Sequence, residues 1–303
     1  MTIHRKPEWL RKKINPAAHG AMDELLGELR LHTVCREARC PNITECFRER
    51  QATFLILGAE CTRLCSFCNV AKGEPLPPDP DEPARVAQAV VRLSLAHVVI
   101  TSPTRDDLPD GGAGHYAATV AAIGRGAPAT AVELLVPDFL GSRTALADVV
   151  AAAPRIIGHN VETVPRLYAI RAGADYGRSL AVLRTLRELA PGCATKSGLM
   201  LGLGETEEEV LAVMADLRRV DCTYLSLGQY LAPSRFHHPV REFVPPETFD
   251  RLKGLAEKMG FRHVESGPYV RSSYHAAGYA GQARTYQPVA SGPGPDQEGA
   301  SVL

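Results

Sequence analysis

Short apolar runs alternate with longer amphipathic stretches from about residue 53 onward. Repeated β-α units around a parallel sheet produce this alternation, and the chain contains six such units. The apolar, β-branched runs predict strands at residues 54–58, 97–101, 131–136, 155–158, 196–202 and 223–229. The amphipathic stretches predict helices at about 83–95, 115–123, 145–153, 180–190, 206–220 and 246–259.

Local signals specify two of these helices closely. Thr206 and Glu209 have the spacing of a capping box, in which each side chain bonds the backbone amide of the other residue. The apolar face that follows consists of Val210, Met214 and Leu217. The helix at 246–259 is expected to end at Gly260, because glycine readily takes the left-handed conformation of a helix cap.

Six β-α units are fewer than the eight of a closed barrel, so we predict an α/β fold built as a partial (β/α)6 TIM-like barrel. A doubly wound sheet would show the same alternation. Polar clusters follow every predicted strand, where the active face of a barrel lies, and we expect these loops to open on one face. The loops are 61–68, 102–107, 137–139, 159–163, 202–205 and 229–234.

The pattern divides the chain into three parts. Residues 1–50 form an amino-terminal extension, 51–278 carry the barrel, and 279–303 lack periodicity and are expected to be a disordered tail. With 34 basic and 34 acidic residues, the chain has no net charge that would favour nucleic acid or a membrane surface. No run approaches the roughly 20 apolar residues that cross a bilayer, and no signal peptide is visible, so we expect a cytoplasmic protein.

Six of the eight cysteines form two triplets in a short segment. The first triplet is Cys35, Cys40 and Cys46, and the second is Cys61, Cys65 and Cys68. Cytoplasmic thiols stay reduced, so such a cluster indicates metal binding or catalysis rather than disulfides. Thiolates suit iron-sulfur clusters, and three of them leave one iron of a four-iron cluster open. Zinc is the alternative, but zinc sites commonly need a fourth cysteine or histidine, and neither triplet has a fourth cysteine nearby.

The second triplet has the spacing C-x-x-x-C-x-x-C, which resembles the signature of radical S-adenosylmethionine (SAM) enzymes. In that superfamily the open iron chelates SAM, and reductive cleavage of SAM releases a 5′-deoxyadenosyl radical. The resemblance implies that Cys61, Cys65 and Cys68 are both metal ligands and catalytic residues. It also implies that Phe67 lies near the adenine, although an aromatic residue there could equally be a packing residue.

Longer stretches resemble the lipoyl synthase family over about residues 5–278. Besides the two triplets, they include Arg-Asp-Asp-Leu from Arg105, His-Asn-Val-Glu-Thr from His159, Thr-Lys-Ser-Gly from Thr195, Gly-Gln-Tyr-Leu from Gly228 and Arg-Ser-Ser-Tyr from Arg271. Each stretch alone is a weak signal. Their order together with both triplets is specific, and it covers nearly the whole chain.

The resemblance implies two 4Fe-4S clusters and SAM as co-substrate. Cys35, Cys40 and Cys46 would hold an auxiliary cluster, whose fourth ligand is a serine of Arg-Ser-Ser-Tyr. We assign Ser273 to this catalytic and metal-binding role, with Ser272 as the alternative. In this family the auxiliary cluster supplies the sulfur. The implied reaction inserts sulfur at C6 and C8 of an octanoyl chain on a carrier lysine and gives the lipoyl group.

The same resemblance implies three protein partners. They are an octanoylated lipoyl carrier domain (of a 2-oxoacid dehydrogenase E2 component or the glycine cleavage H protein), a ferredoxin or flavodoxin reductant, and an iron-sulfur cluster carrier. Loop positions indicate contacts with SAM or substrate for a set of polar residues, although ion pairs at the barrel mouth would explain them as well. These residues are Arg105, Asp106, Asn160, Glu162, Lys196 and Gln229.

Two other functional classes stay open. One is a different two-cluster radical SAM enzyme, such as a methylthiotransferase or a peptide-maturing enzyme, although these place their auxiliary ligands differently. The other is an electron-transfer or zinc-scaffold protein without catalytic activity, which would not explain six polar loops on one face.

Overall fold

The computed structural model describes residues 6–12, 20–49 and 51–280. Its strands are β1 (His32–Thr33), β2 (Thr53–Leu55), β3 (Glu60–Cys61), β4 (Ala71–Lys72), β5 (His97–Thr101), β6 (Ala131–Leu135), β7 (Ile156–Gly158), β8 (Ala194–Leu201), β9 (Tyr224–Gln229) and β10 (His263–Gly267). Its helices are α1 (Gly20–Glu28), α2 (Val34–Glu37), α3 (Ile43–Arg48), α4 (Glu82–Leu93), α5 (Ala113–Gly126), α6 (Arg143–Ala151), α7 (Tyr176–Leu189), α8 (Glu207–Arg219), α9 (Pro246–Lys258) and α10 (Ala276–Ala280). Three short 3-10 turns lie at Glu8–Leu10, Phe139–Gly141 and Pro165–Ile170.

The main sheet has eight strands in the order β1-β2-β5-β6-β7-β8-β9-β10. Every neighbouring pair from β2 to β10 is parallel, and β1 is antiparallel to β2. The order follows the chain without reversal, whereas a doubly wound sheet reverses at a switch point. The fold is therefore a partial TIM-like barrel, as the sequence predicted, and the doubly wound alternative is wrong.

All six predicted strands and all six predicted helices are present within a few residues of their expected ends. The sequence pattern missed β10, a seventh parallel strand, because its sequence His-Val-Glu-Ser-Gly lacks an apolar run and only Val264 is buried. It also missed β1, which comes from the amino-terminal extension, and the small parallel sheet of β3 and β4.

Helices α4 to α9 connect the parallel strands and bury one apolar face each. On α8 this face consists of Val210, Val213, Met214 and Leu217, and on α9 it includes Phe249, Leu252 and Ala256. These side chains form one apolar cluster with Leu225 and Leu227 of β9. Cys193 and Cys222, the two cysteines outside the triplets, are buried core residues. No helix in the described part of the chain is long and apolar enough to span a bilayer.

The capping box at the start of α8 provides a test of local stability. The Glu209 amide donates to the Thr206 hydroxyl at 3.3 Å, and the Thr206 amide donates to the Glu209 carboxylate at 2.8 Å. Thr206→Ala is therefore expected to lower the free energy of unfolding by about 1 kcal/mol. Urea denaturation measures this loss. Thr248→Ala is the control, because Thr248 lies in the first turn of α9 and its hydroxyl caps nothing; an equal loss in both variants would contradict a capping effect.

The segment after β10 folds back against β9. A Cβ atom at Gly228 would lie 2.1 Å from the Val270 carbonyl oxygen, so this approach requires glycine. The chain then enters α10, where Tyr279 is fully buried and its hydroxyl donates to the Leu225 carbonyl at 3.2 Å. Tyr279 therefore packs in the barrel one residue beyond the boundary at 278, and that boundary remains a prediction. The remainder of the predicted tail, residues 281–303, lies outside the described residues.

Candidate functional site

The second cysteine triplet lies on the loop between β3 and β4. Cys61 ends β3, and the parallel pairing of the two strands places Lys72 directly opposite it. Between the strands, the Cys68 amide donates to the Cys65 carbonyl at 3.2 Å and closes a tight turn. The small sheet thus brings both ends of the cysteine loop together.

Loops from four other strands meet this cysteine loop. The Thr62 amide donates to the Thr104 carbonyl at 3.1 Å, and the Ser66 amide donates to the Ile170 carbonyl at 2.9 Å. The His238 amide donates to the Ser66 carbonyl, also at 2.9 Å. These contacts come from the loops after β5, β7 and β9, and the loop after β6 joins through Arg63. The convergence predicted from the polar clusters is therefore confirmed for these loops.

Arg63 anchors the cysteine loop through a buried ion pair with Asp138 and a partly exposed one with Asp106. Its guanidinium donates to Asp106 at 2.7 Å and to Asp138 at 2.6 Å. Arg178 also donates to Asp138, at 2.8 Å, and the Asp138 side chain has no exposed surface. Burial alone would raise the pKa of Asp138, but the hydrogen bonds and charge of Arg63, aided by His159 and Arg178, hold that pKa well below its usual range. The carboxylate therefore stays charged and fixes the loop.

In the second triplet Cys61 is buried, Cys65 and Cys68 are half-buried, and two cations lie near the thiols. Burial raises the pKa of Cys65 to about 11, against the opposing positive charges of Arg171 and Lys72. Burial also raises the pKa of Cys68, and Lys72 again opposes this shift. Cations beside several thiols favour the thiolate form and any anionic group that the thiolates bind.

The donor set of this triplet fits an iron-sulfur cluster better than a single ion. In the described part of the chain, no three side chains of His, Cys, Asp or Glu converge on one ion position. A four-iron cluster instead binds each thiolate through a different iron, so its ligands stand farther apart. Three thiolates beside two cations match an anionic cluster with one open iron.

Asn160 and Glu162 lie beside the cysteine loop at the carboxyl end of β7. The Asn160 amide donates to Glu162 at 3.1 Å and to the Ser272 hydroxyl at 2.5 Å. Burial raises the pKa of Glu162, while the charge of Arg171 and the hydrogen bond from Asn160 act in the opposite direction. Phe67 is half-buried within the cysteine loop itself. Contacts of these residues with SAM remain predictions.

Arg105 is buried and ties three loops together. Its guanidinium donates to the Leu57 carbonyl at 2.9 Å, to the Leu76 carbonyl at 3.0 Å and to the Asp107 carboxylate at 2.8 Å. Asp106, next in the chain, pairs with Arg63. The contacts described for both residues are with the protein, and their contact with SAM or substrate remains a prediction.

Lys196 and Gln229 lie inside the barrel. The Lys196 ammonium donates to Glu133 at 2.8 Å and lies 3.7 Å from the centre of the Tyr279 ring. Gln229 donates to three backbone carbonyls and accepts from the Val244 amide at 2.8 Å. Both side chains therefore serve the packing of the barrel, and their contact with a ligand remains a prediction.

The first triplet lines a separate cavity of about 320 Å³. Ser273 lines the same cavity, and the Thr53 hydroxyl donates to the Ser273 hydroxyl at 2.7 Å. The cavity also borders residues 93–97, so it lies near the amino ends of β2 and β5, whereas the second triplet follows the carboxyl end of β2. Ser272 does not line this cavity and bonds Asn160 instead. The two neighbouring serines thus face different sites.

The thiols of the first triplet lie close to one another, with Cys35 buried and Cys40 and Cys46 half-buried. Burial, followed by the neighbouring Cys40, raises the pKa of Cys35 to about 12. Burial, followed by Cys35 and Cys40, raises the pKa of Cys46 to about 12. Arg271 is buried beside Cys40. Three neighbouring thiols, one cation and one hydroxyl around a cavity fit a second cluster with an oxygen ligand.

Contacts between the two ends of the chain build this cavity. The Tyr274 hydroxyl donates to Glu45 at 3.0 Å, and the Asn42 amide donates to the Tyr269 carbonyl at 2.7 Å. Lys12 pairs with Glu45 at 2.5 Å. The extension that carries the cysteines is therefore fastened to the segment that carries Ser273.

Comparisons with known proteins agree with this geometry. The family model of the radical SAM superfamily matches residues 55–217. A lipoyl synthase from Geobacter sulfurreducens is 94% identical over 302 residues, which cover 100% of both chains. The chain belongs to the lipoyl synthase family. Lipoyl synthases from Geobacter metallireducens (78% identity, 93% of this chain and 100% of the relative) and Caldanaerobacter subterraneus (55% identity, 91% and 97%) are also similar.

Solved structures at low identity share only the fold. Methylornithine synthase superposes with a TM-score of 0.53 at 13% identity, covering 70% of this chain and 69% of that chain. HydG, a maturase of the FeFe-hydrogenase, superposes with a TM-score of 0.56 at 12% identity, covering 69% and 49%. Membership in the family makes this chain a radical SAM sulfurtransferase, which uses SAM and a 4Fe-4S cluster.

The sequence pattern did not identify several residues that build the sites. They are Arg63, Lys72, Asp138, Arg171 and Thr53. A signal existed for two of them, because Arg63 lies within the cysteine loop and Asp138 directly follows the carboxyl end of β6. The other three stand alone among ordinary residues and are recognisable only from their neighbours in the fold.

Proposed function

We propose that this chain inserts two sulfur atoms, at C6 and C8, into an octanoyl chain that is amide-linked to a lysine of a carrier domain. The observation that carries the proposal is a pair of three-cysteine sites near opposite ends of one barrel, with Ser273 lining the cavity of the first triplet. One site has the donor set for generating a radical, and the other has the donor set for a cluster that gives up sulfur.

The two sites have distinct proposed roles. Cys61, Cys65 and Cys68 hold the cluster whose open iron binds SAM. The first triplet and Ser273 hold the auxiliary cluster; its ligands are Cys35, Cys40, Cys46 and Ser273. When bound, the first cluster supplies the electron that cleaves SAM, and the auxiliary cluster supplies sulfur.

The remaining residues orient and enclose the reactants. Arg63 and Asp138 hold the cysteine loop in place, which would fix the position of the three thiolates that hold the cluster. Phe67, Asn160 and Glu162 are proposed to contact SAM. The proposed contacts with SAM or substrate at the barrel wall are Arg105, Lys196 and Gln229. Burial of these side chains excludes water from the path of the radical.

Partners and domains follow from the same proposal. The carrier domain presents its octanoyl-lysine arm, a ferredoxin or flavodoxin supplies low-potential electrons, and a cluster carrier rebuilds the auxiliary cluster. Residues 1–50 supply the first triplet, and residues 51–278 supply the radical site and Ser273.

Mass spectrometry of a peptide substrate tests the proposal. Anaerobically reconstituted protein, incubated with an octanoyl-lysine peptide, SAM and dithionite, is expected to bind about eight irons per chain and to add two sulfur atoms to the peptide. Cys65→Ala is the control and should not cleave SAM. If wild-type protein cleaves SAM without adding sulfur, the substrate assignment fails and another two-cluster radical SAM activity stands. Absence of SAM cleavage would favour an electron-transfer protein.

A further inference from the structure

The ammonium group of Lys72 is buried without a partner. Its Nζ atom is shielded from solvent, and no atom in the described part of the chain accepts a hydrogen bond from it. A buried, unpaired ammonium is costly, because it has lost its hydration without gaining a partner. The protein therefore tolerates a charge here that another group must balance.

The backbone fixes this charge against the cysteine loop. In the register of β3 and β4, Lys72 lies directly opposite Cys61, and the Gly73 amide donates to the Cys61 carbonyl at 3.3 Å. The charge of Lys72 acts on both other thiols of the loop, Cys65 and Cys68. Lys72 is therefore directed toward the space that the three thiols enclose.

The neighbouring charged groups do not neutralise Lys72. Arg171, the other cation at the loop, donates to the Tyr168 hydroxyl at 2.6 Å and to the Ser179 hydroxyl at 3.3 Å. Glu60, the nearest carboxylate along the small sheet, is exposed. Its carboxylate lies next to Gly73, since a Cβ atom added at Gly73 would be 3.1 Å from a Glu60 carboxylate oxygen. Within the described residues, Lys72 is thus the cation at this site whose charged group is buried without a hydrogen-bond partner.

We propose that the Lys72 ammonium pairs with the iron-sulfur cluster held by Cys61, Cys65 and Cys68, donates to a sulfur of that cluster and raises its reduction potential. The inference rests on the proposed function, since it requires that cluster. Reduction adds a negative charge to a group that is already anionic, and a buried cation stabilises the reduced form more than the oxidised form. The charge of Lys72 thus makes it easier for the cluster to accept an electron.

Redox titration of the intact, loaded enzyme tests the inference. Lys72→Met and Lys72→Gln remove the charge, and Lys72→Arg keeps it. The electron paramagnetic resonance signal that changes on addition of SAM identifies the cluster that binds SAM. The titration then follows that signal in samples without SAM. At a fixed potential, the ratio of reduced to oxidised cluster is expected to be at least tenfold lower in the neutral variants than in wild type. For a one-electron couple, this corresponds to a reduction potential that is 59 mV lower. Lys72→Arg should remain near the wild-type value.

Lys258→Met is the matched control, because Lys258 is exposed at the end of α9, away from the cysteine loop. Unchanged potentials in loaded Lys72→Met and Lys72→Gln proteins would overturn the inference and leave the proposed function intact. Wild-type protein without a SAM-responsive signal would instead overturn the proposed function. If both neutral variants fail to hold the cluster while Lys72→Arg holds it, the charge is required for binding, which supports the pairing.

Discussion

Replacing Ser273 with alanine is expected to lower lipoyl formation more than about tenfold, while reductive cleavage of SAM continues. Ser273 lines the cavity of the first triplet and accepts a hydrogen bond from the Thr53 hydroxyl at 2.7 Å. Without its oxygen, the proposed auxiliary cluster would keep only the three cysteine ligands. The second triplet lies near the opposite end of β2, so its cluster and the binding of SAM should not change.

The neighbouring Ser272 provides a matched control for this experiment. Ser272→Ala makes the same chemical change one residue away, but Ser272 accepts a hydrogen bond from Asn160 and does not line the cavity. We expect this variant to retain the full iron content and sulfur insertion. Iron analysis, 5′-deoxyadenosine yield and mass spectrometry of the peptide separate the two outcomes. Loss of sulfur insertion in Ser272→Ala, with normal yield in Ser273→Ala, would assign the ligand to Ser272.

The serine assignment illustrates what the sequence alone leaves open. Adjacent residues of a turn project in different directions, and the direction depends on how the whole segment lies against the barrel. That segment is held by contacts of high sequence separation, such as the hydrogen bond from Tyr274 to Glu45. A motif therefore identified the pair of serines, and only the fold distinguishes Ser273, which shares the cavity with the cysteines, from Ser272.

The barrel itself was predictable because its strands are apolar runs and its helices have one apolar face. Strands β5 and β9 were located within one residue for this reason. Strand β10 was not located from the sequence, because it is an edge strand with three half-buried residues at its carboxyl end and carries little hydrophobic signal. Spacing alone indicated the two cysteine triplets, and the structure places the members of each triplet near one another. The ion pair of Arg63 and Asp138 was not predictable, because 75 positions separate its partners. Charge alone does not indicate which carboxylate of the chain pairs with Arg63.

Asp138→Asn is expected to lower the free energy of unfolding by about 3–5 kcal/mol. The substitution keeps the shape of the side chain but removes a buried charge that pairs with Arg63 and Arg178. Arg63 is 5% exposed, so its guanidinium would stay buried and keep only the partly exposed Asp106 as an anionic partner. The cysteine loop should become less well ordered when Arg63 loses Asp138, and the iron content of the protein should fall together with its stability.

Urea denaturation under anaerobic conditions measures the stability loss in Asp138→Asn. Glu188→Gln is the control, because the Arg143–Glu188 pair is about half exposed and should contribute no more than about 1 kcal/mol. The pKa of Asp138 is depressed in the folded protein, so its stabilisation is complete above the unfolded value of about 3.9 and is lost only as pH falls below it. The difference between wild type and Asp138→Asn should therefore be constant from pH 6 to pH 8. A loss no larger than that of Glu188→Gln, or one that varies across this range, would show that a different group holds the loop.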